Sequence, residues 1–115
     1  MSDREPIDDE LMGFQRIDPK EVEVGMEVKV LYDSTFGGQV YREGTVTEFE
    51  SMDTDFGKHV RIEMRHSEHR ATIIGGSIRE HGGRTTETYR VSSESSVRTT
   101  GVGELLAMYG DPESI

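Results

Sequence analysis

Arginine is the residue type in this chain best suited to recognition chemistry, with ten arginines against three lysines. Arg61 and Arg65 stand in the alternating run Val60-Arg61-Ile62-Glu63-Met64-Arg65, so on a strand both lie on the polar face. Arg70 and Arg90 fall on the neighbouring predicted strands. A guanidinium is planar, grips phosphate with two parallel hydrogen bonds and stacks on bases. An outward stripe of Arg61, Arg65 and Arg90, with Arg70 beside it and Tyr41 or Phe36 for stacking, is therefore a candidate nucleic-acid surface. Glu63, Glu68, Glu80, Glu87 and Glu94 are interspersed among these bases and oppose it by cross-strand pairing. An outer face of paired charges is the competing reading of the same residues.

Other constellations are thinner. His66-Ser67-Glu68-His69 sets two imidazoles three residues apart, with His81 further on, and neutral imidazole suits zinc or nickel. Without a helix or a fixed third ligand, His66 and His69 read as solvated residues of a hairpin tip, and no metal site is expected. Asp53-Thr54-Asp55-Phe56-Gly57 has the opening rhythm of a calcium loop, but the position that requires Glu is Met64. Gly75-Gly76 and Gly82-Gly83 offer backbone amides to a phosphate, yet neither is followed by Gly-Lys-Ser/Thr. Both pairs are expected to serve turns. No Gly-x-Ser-x-Gly elbow and no triad spacing occurs, so no catalytic residue is assigned and no enzyme is expected.

The elements that must position these residues are strands. Of 25 Leu, Ile, Val and Phe residues, 17 are Val or Ile, and β-branched side chains pack well on a pleated surface. Val24, Met26, Val28, Val30 and Tyr32 alternate with Gly25, Glu27, Lys29 and Leu31, predicting a strand over 24–32 with one buried face. A second strand spans about 40–50, with Gly44 a bulge or a site of close approach. The third carries Val60, Ile62 and Met64 inward. Ala71 to Ile74 reads as a short strand ended by Gly75-Gly76, Thr86 to Ser92 as a strand with Tyr89 and Val91 inward, and Val97 to Val102 as the last. Gly103 to Tyr109 is expected to add a short helical turn. The Asp18-Pro19 step marks a turn, because a residue before proline is pushed out of the helical region.

Val24-Gly25-Met26-Glu27-Val28-Lys29-Val30 followed by Glu43-Gly44-Thr45-Val46 resembles the opening of SH3-like and KOW-type small β-barrels. The resemblance covers about residues 22–65, with Tyr89-Arg90-Val91 matching a later strand, and it implies a fold more than a function. The fold expected is all-β: a small SH3-like barrel, or a curled antiparallel sheet, of five to six strands. Its expected limits are 20–102, after a mobile acidic arm at 1–19 and before an appendage at 103–115.

Composition sets the surroundings. A chain of 115 residues has room for one core. Residues 1–57 carry 15 Asp/Glu against 5 Lys/Arg, whereas residues 58–100 carry 8 Lys/Arg against 5 Asp/Glu. The net charge of −10, the absence of Cys and Trp and the scarcity of large aliphatics resemble the proteins of halophilic archaea. Without cysteine there are no disulfides and no thiolate metal ligands. No apolar run approaches a membrane span and no signal-peptide core is visible, so the expected location is cytoplasmic, away from the membrane. These readings together predict a non-enzymatic binding module without cofactor, with DNA or RNA as the first partner. Protein interaction or self-assembly, in a halophilic archaeon or its virus, comes second, and metal binding third.

Overall fold

The computed structural model describes residues 13–55, 57–111 and 113. The described residues form seven strands: β1 (Gln15–Ile17), β2 (Glu27–Ser34), β3 (Gln39–Thr54), β4 (Gly57–Ser67), β5 (Arg70–His81), β6 (Arg84–Ser95) and β7 (Thr99–Asp111). Strands β2 to β7 run as an antiparallel meander, and β7 pairs with both β6 and β2. That double pairing closes a six-stranded barrel. The first half of β7 lies against β6, through Glu104; beyond it the same edge is taken by β1, with Arg16 opposite Tyr109. A free edge is a template for unwanted pairing, and β1 covers the part that β6 leaves open.

Alternation decides what faces inward. Val28 and Val30 of β2, Val46 of β3, Ile62 and Met64 of β4, Ile74 of β5, Val91 of β6 and Met108 of β7 are each at most 1% exposed. These side chains fill the interior, as expected for a barrel this narrow. Tyr89 lies opposite Gly76, and a Cβ on that glycine would fall 2.3 Å from the Tyr89 ring. The glycine is the seat of the aromatic ring. Gly75-Gly76 therefore does not end a strand; β5 runs through both to His81, which corrects the expected turn.

The expected helical turn over 103–109 is likewise corrected, since these residues are extended within β7 and integral to the barrel. The run Leu105-Leu106-Ala107-Met108-Tyr109 lost its period-two signature because Leu106, 42% exposed, is the extra residue of a bulge against β2 and because both faces are covered from Ala107 onward. Met108 enters the barrel core, while Ala107 and Tyr109 pack with Leu31, Phe14 and Tyr41 in a second cluster on the outside. Gln15–Ile17, expected in the mobile arm, is paired strand, and Lys29 Nζ stands 5.0 Å from the centre of the Phe14 ring. Residues 1–12 of the expected arm lie outside the described residues.

The expected turn after Asp18 is a single 3₁₀ turn over Pro19–Glu21, with the Asp18 carboxylate accepting from the Lys20 N–H at 2.9 Å. Val24 is 58% exposed and precedes β2 rather than opening it. The Gly25 N–H donates to the Val46 carbonyl at 2.8 Å and the Val46 N–H to the Met26 carbonyl at 2.9 Å, tying this entry to β3.

Candidate nucleic-acid interface

The wall formed by β4, β5 and β6 carries the basic residues. Its outward face follows from the register: Arg61 stands directly opposite Gly75, and Gly75 directly opposite Arg90. Glu50 and Glu104 end the same row on β3 and β7. Arg61 and Arg90 thus sit two strand spacings apart, roughly 10 Å. Between them lies exposed backbone with no side chain, and a Cβ placed on Gly75 meets nothing within 4 Å. The row is a groove in the outward side chains, with Arg61 on one bank and Arg90 on the other.

The banks differ. Arg61 Nη1 pairs with Glu48 at 2.9 Å and with Glu63 at 3.8 Å, and Arg65 Nε pairs with the other Glu63 oxygen at 3.0 Å. Arg65 Nη1 also donates to the carbonyls of Ser67 and Glu68, both at 3.2 Å. Glu63 therefore bridges the two arginines, and its side chain is well covered at 13% exposure. Pairs this exposed on the arginine side contribute about 0.2–1 kcal/mol each, so they are readily exchanged for another anion. Arg90 has no carboxylate within ion-pair distance among the described residues. Ile73 is outward yet only 9% exposed, flanked by Glu63 and Ser92.

The other expected site residues separate. Arg70 opens β5 beside the β4–β5 turn, at one end of the barrel, where it lines a small cleft with Arg42 and His66. Tyr41 faces out on β3 but packs into the Leu31–Tyr109 cluster, away from the arginine wall. It is not available to stack beside Arg61 or Arg90. Phe36, at the β2–β3 turn, is 86% exposed.

His66 and His81 sit near opposite ends of β4 and β5, and no group of three or more His, Asp or Glu positioned to hold a metal occurs among the described residues. Asp53 and Asp55 belong to the β3–β4 hairpin, and Phe56 of the expected calcium-loop rhythm lies outside the described residues. Gly75-Gly76 forms no phosphate cradle, being extended strand; Gly82 and Gly83, with φ of +61° and +81°, make the β5–β6 turn as expected. A cleft of about 590 Å³ mixes Asp53, Asp55 and Glu80 with Lys20 and Lys58. Lys20 Nζ there is held by Glu87 at 2.8 Å, which raises its pKa, with Asp18 at 3.6 Å adding to the effect.

Two features escaped the sequence. Gly44 was legible as a site of close approach, but not that His66 is what approaches: a Cβ on Gly44 would lie 3.0 Å from the imidazole. The register slips between Arg65 and Ser67, leaving His66 as the extra residue of a β-bulge. Such a bulge re-aims a side chain, and here the ring reaches Thr72 Oγ1 at 2.7 Å. Arg42 was masked by its acidic surroundings in sequence. Compared with known proteins, the chain matches no family model, no curated protein and no solved structure.

Proposed function

We propose that the chain is a non-enzymatic binding module that takes single-stranded nucleic acid across the β4–β6 wall. The observation that carries this reading is the row Arg61–Gly75–Arg90, two guanidinium groups flanking bare backbone. A base or a sugar–phosphate segment can lie on that floor with a planar cation on either side, and such contacts depend on stacking and phosphate geometry more than on sequence. The wall as a whole is basic, with seven Lys/Arg against four Asp/Glu on β4 to β6.

The acidic, cysteine-free composition adds a salt-adapted setting. At about 1 M salt the screening length is roughly 3 Å, so long-range attraction to phosphate fades and short-range stacking and bidentate contacts must dominate. A floor without side chains permits that close approach. Fluorescence anisotropy of labelled single-stranded DNA and RNA, titrated at several salt concentrations, tests the reading. Saturable binding that weakens as salt rises is expected. Absence of binding at the lowest salt that keeps the protein folded would remove it.

A second reading, self-assembly, is favoured by the distribution of charge around the barrel. Strands β2 and β3 carry six Asp/Glu against two Lys/Arg and, in a closed six-stranded meander, stand across from β5 and β6. The acidic side of one copy complements the basic side of another. Light scattering at high protein concentration separates the two readings, because a strict monomer leaves only the first.

A further inference from the structure

At the end of the barrel where β4 turns into β5, a cleft of about 300 Å³ opens among Arg42, Glu43, His66, Arg70, Ala71 and Ser93, drawn from four strands. Arg42 lies opposite Val30 on the inward side of β3, and its Nε donates to Tyr32 Oη at 2.9 Å. That bond fixes the guanidinium and leaves both terminal nitrogens to serve the cleft. Neither Arg42 nor Arg70 has a carboxylate within ion-pair distance among the described residues. Glu43 does not supply one: alternation turns its side chain outward, opposite Lys29, and it meets His66 through its backbone carbonyl. The bulge at His66 and the missing side chain of Gly44 together bring the imidazole into this mouth.

We propose that this mouth binds a tetrahedral oxyanion of the phosphoryl class, clamped between Arg42 and Arg70, with the Ser93 hydroxyl completing the donor set and the His66 ring, its Nε2 held by Thr72, standing beside it as a titratable charge. Two guanidinium forks and a hydroxyl present N–H and O–H donors only, which suits a ligand that accepts at every oxygen. Partial enclosure matters here, because charges within a cleft are screened by salt much less than charges on an open face. The site uses Arg42 and His66, which the Gly75 groove does not, so the two proposals fail separately.

His66 makes the site sensitive to pH. Burial holds its pKa below the ordinary value, with Arg42 and Arg70 adding to the effect and the Glu43 carbonyl opposing it. The other groups at the ring are the Thr72 hydroxyl and Ser93, while the adjacent Arg65 is engaged by Glu63. A bound dianion offsets the two guanidinium charges and raises the imidazole pKa, so anion affinity must increase as pH falls.

Sodium sulfate is the probe, since its charge stays constant across the range, with ionic strength held by chloride. Isotope-labelled full-length protein is titrated while the His66 ring nitrogens and the Arg42 and Arg70 Nε resonances are followed. Saturable shifts at these three residues are expected, with affinity rising between pH 8 and pH 5.5 by up to roughly tenfold for each unit by which sulfate raises the His66 pKa. His66→Gln should retain binding at pH 8 and flatten the pH dependence. Arg70→Ala, at an exposed position, should weaken sulfate at least tenfold with the amide spectrum otherwise preserved, and Gly75→Glu should leave it unchanged. Displacement of sulfate by a 5′-phosphorylated oligonucleotide, but not by its 5′-hydroxyl form, would assign the phosphoryl group to nucleic acid. Equal behaviour of the two oligonucleotides, with binding of inorganic phosphate, would assign it to a free anion. Shifts that never saturate, or that spread evenly over Arg79, Arg84 and Arg98, would overturn the proposal, as would full binding by Arg70→Ala.

Discussion

Single residues set the tolerances of this barrel, and at Gly76 a methyl group tests the fit against a core side chain. A Cβ there would stand 2.3 Å from Tyr89 Cε1 and 2.6 Å from Cδ1. Gly76→Ala must displace the ring or spread β5 from β6, and overpacking of this kind costs about 1–3 kcal/mol. Denaturant midpoints of the variant should fall accordingly, whereas Gly75→Ala, one residue away with open space, should hold or gain. His66 provides a second residue-scale prediction. Its pKa is lowered in the fold, so the unfolded chain binds the proton more readily than the native one. Its contribution is fully present above the unfolded value, about 6.5, and is lost as pH falls through the folded value. Stability measured from pH 8 down to pH 5 should decline, and His66→Gln should remove part of that slope.

At the scale of elements, β4 was legible because one of its faces is buried and the other is wet, which gives a clean alternation of Val60, Ile62 and Met64 with charged residues. Strand β7 was not, because Met108 faces the barrel core while Ala107 and Tyr109 face the outer cluster. A strand buried on both sides reads as a continuous apolar run, and a short run of that kind mimics a helical turn. The interior of β5 was hidden for a different reason: glycines usually signal turns, and only the position of Tyr89 reveals Gly76 as a packing site. The same logic divides the candidate interface. The shared face of Arg61 and Arg65 was readable from the alternation of β4, but the cross-strand register that brings Arg90 to the same wall and sets Gly75 between it and Arg61 depends on pairings that sequence does not specify. The bulge at His66 belongs to that class as well. Glu63 offers the test at this scale. Glu63→Gln releases Arg61 and Arg65 from their shared carboxylate. Stability should change by about 1 kcal/mol or less, while affinity for single-stranded oligonucleotide should rise several-fold in anisotropy titrations.

Across the whole molecule, the uneven charge of the sequence becomes a barrel with an acidic side on β2 and β3 and a basic wall on β4 to β6. The net charge of −10 makes the folded state repel itself at low ionic strength. Screening that repulsion should raise the thermal midpoint between low and molar salt by several degrees, since about 1 kcal/mol corresponds to roughly 4–8 °C in a small domain. A flat midpoint across that range would contradict the salt-adapted reading. Gly75→Glu is the sharpest test of the groove. A Cβ at position 75 meets no atom within 4 Å, and the substitution sets a carboxylate between Arg61 and Arg90. Anisotropy of a labelled single-stranded oligonucleotide, at one low salt concentration, should show saturable binding by the natural chain and at least a tenfold loss in Gly75→Glu, with thermal stability maintained. Equal binding by the two proteins would contradict the assignment of the groove.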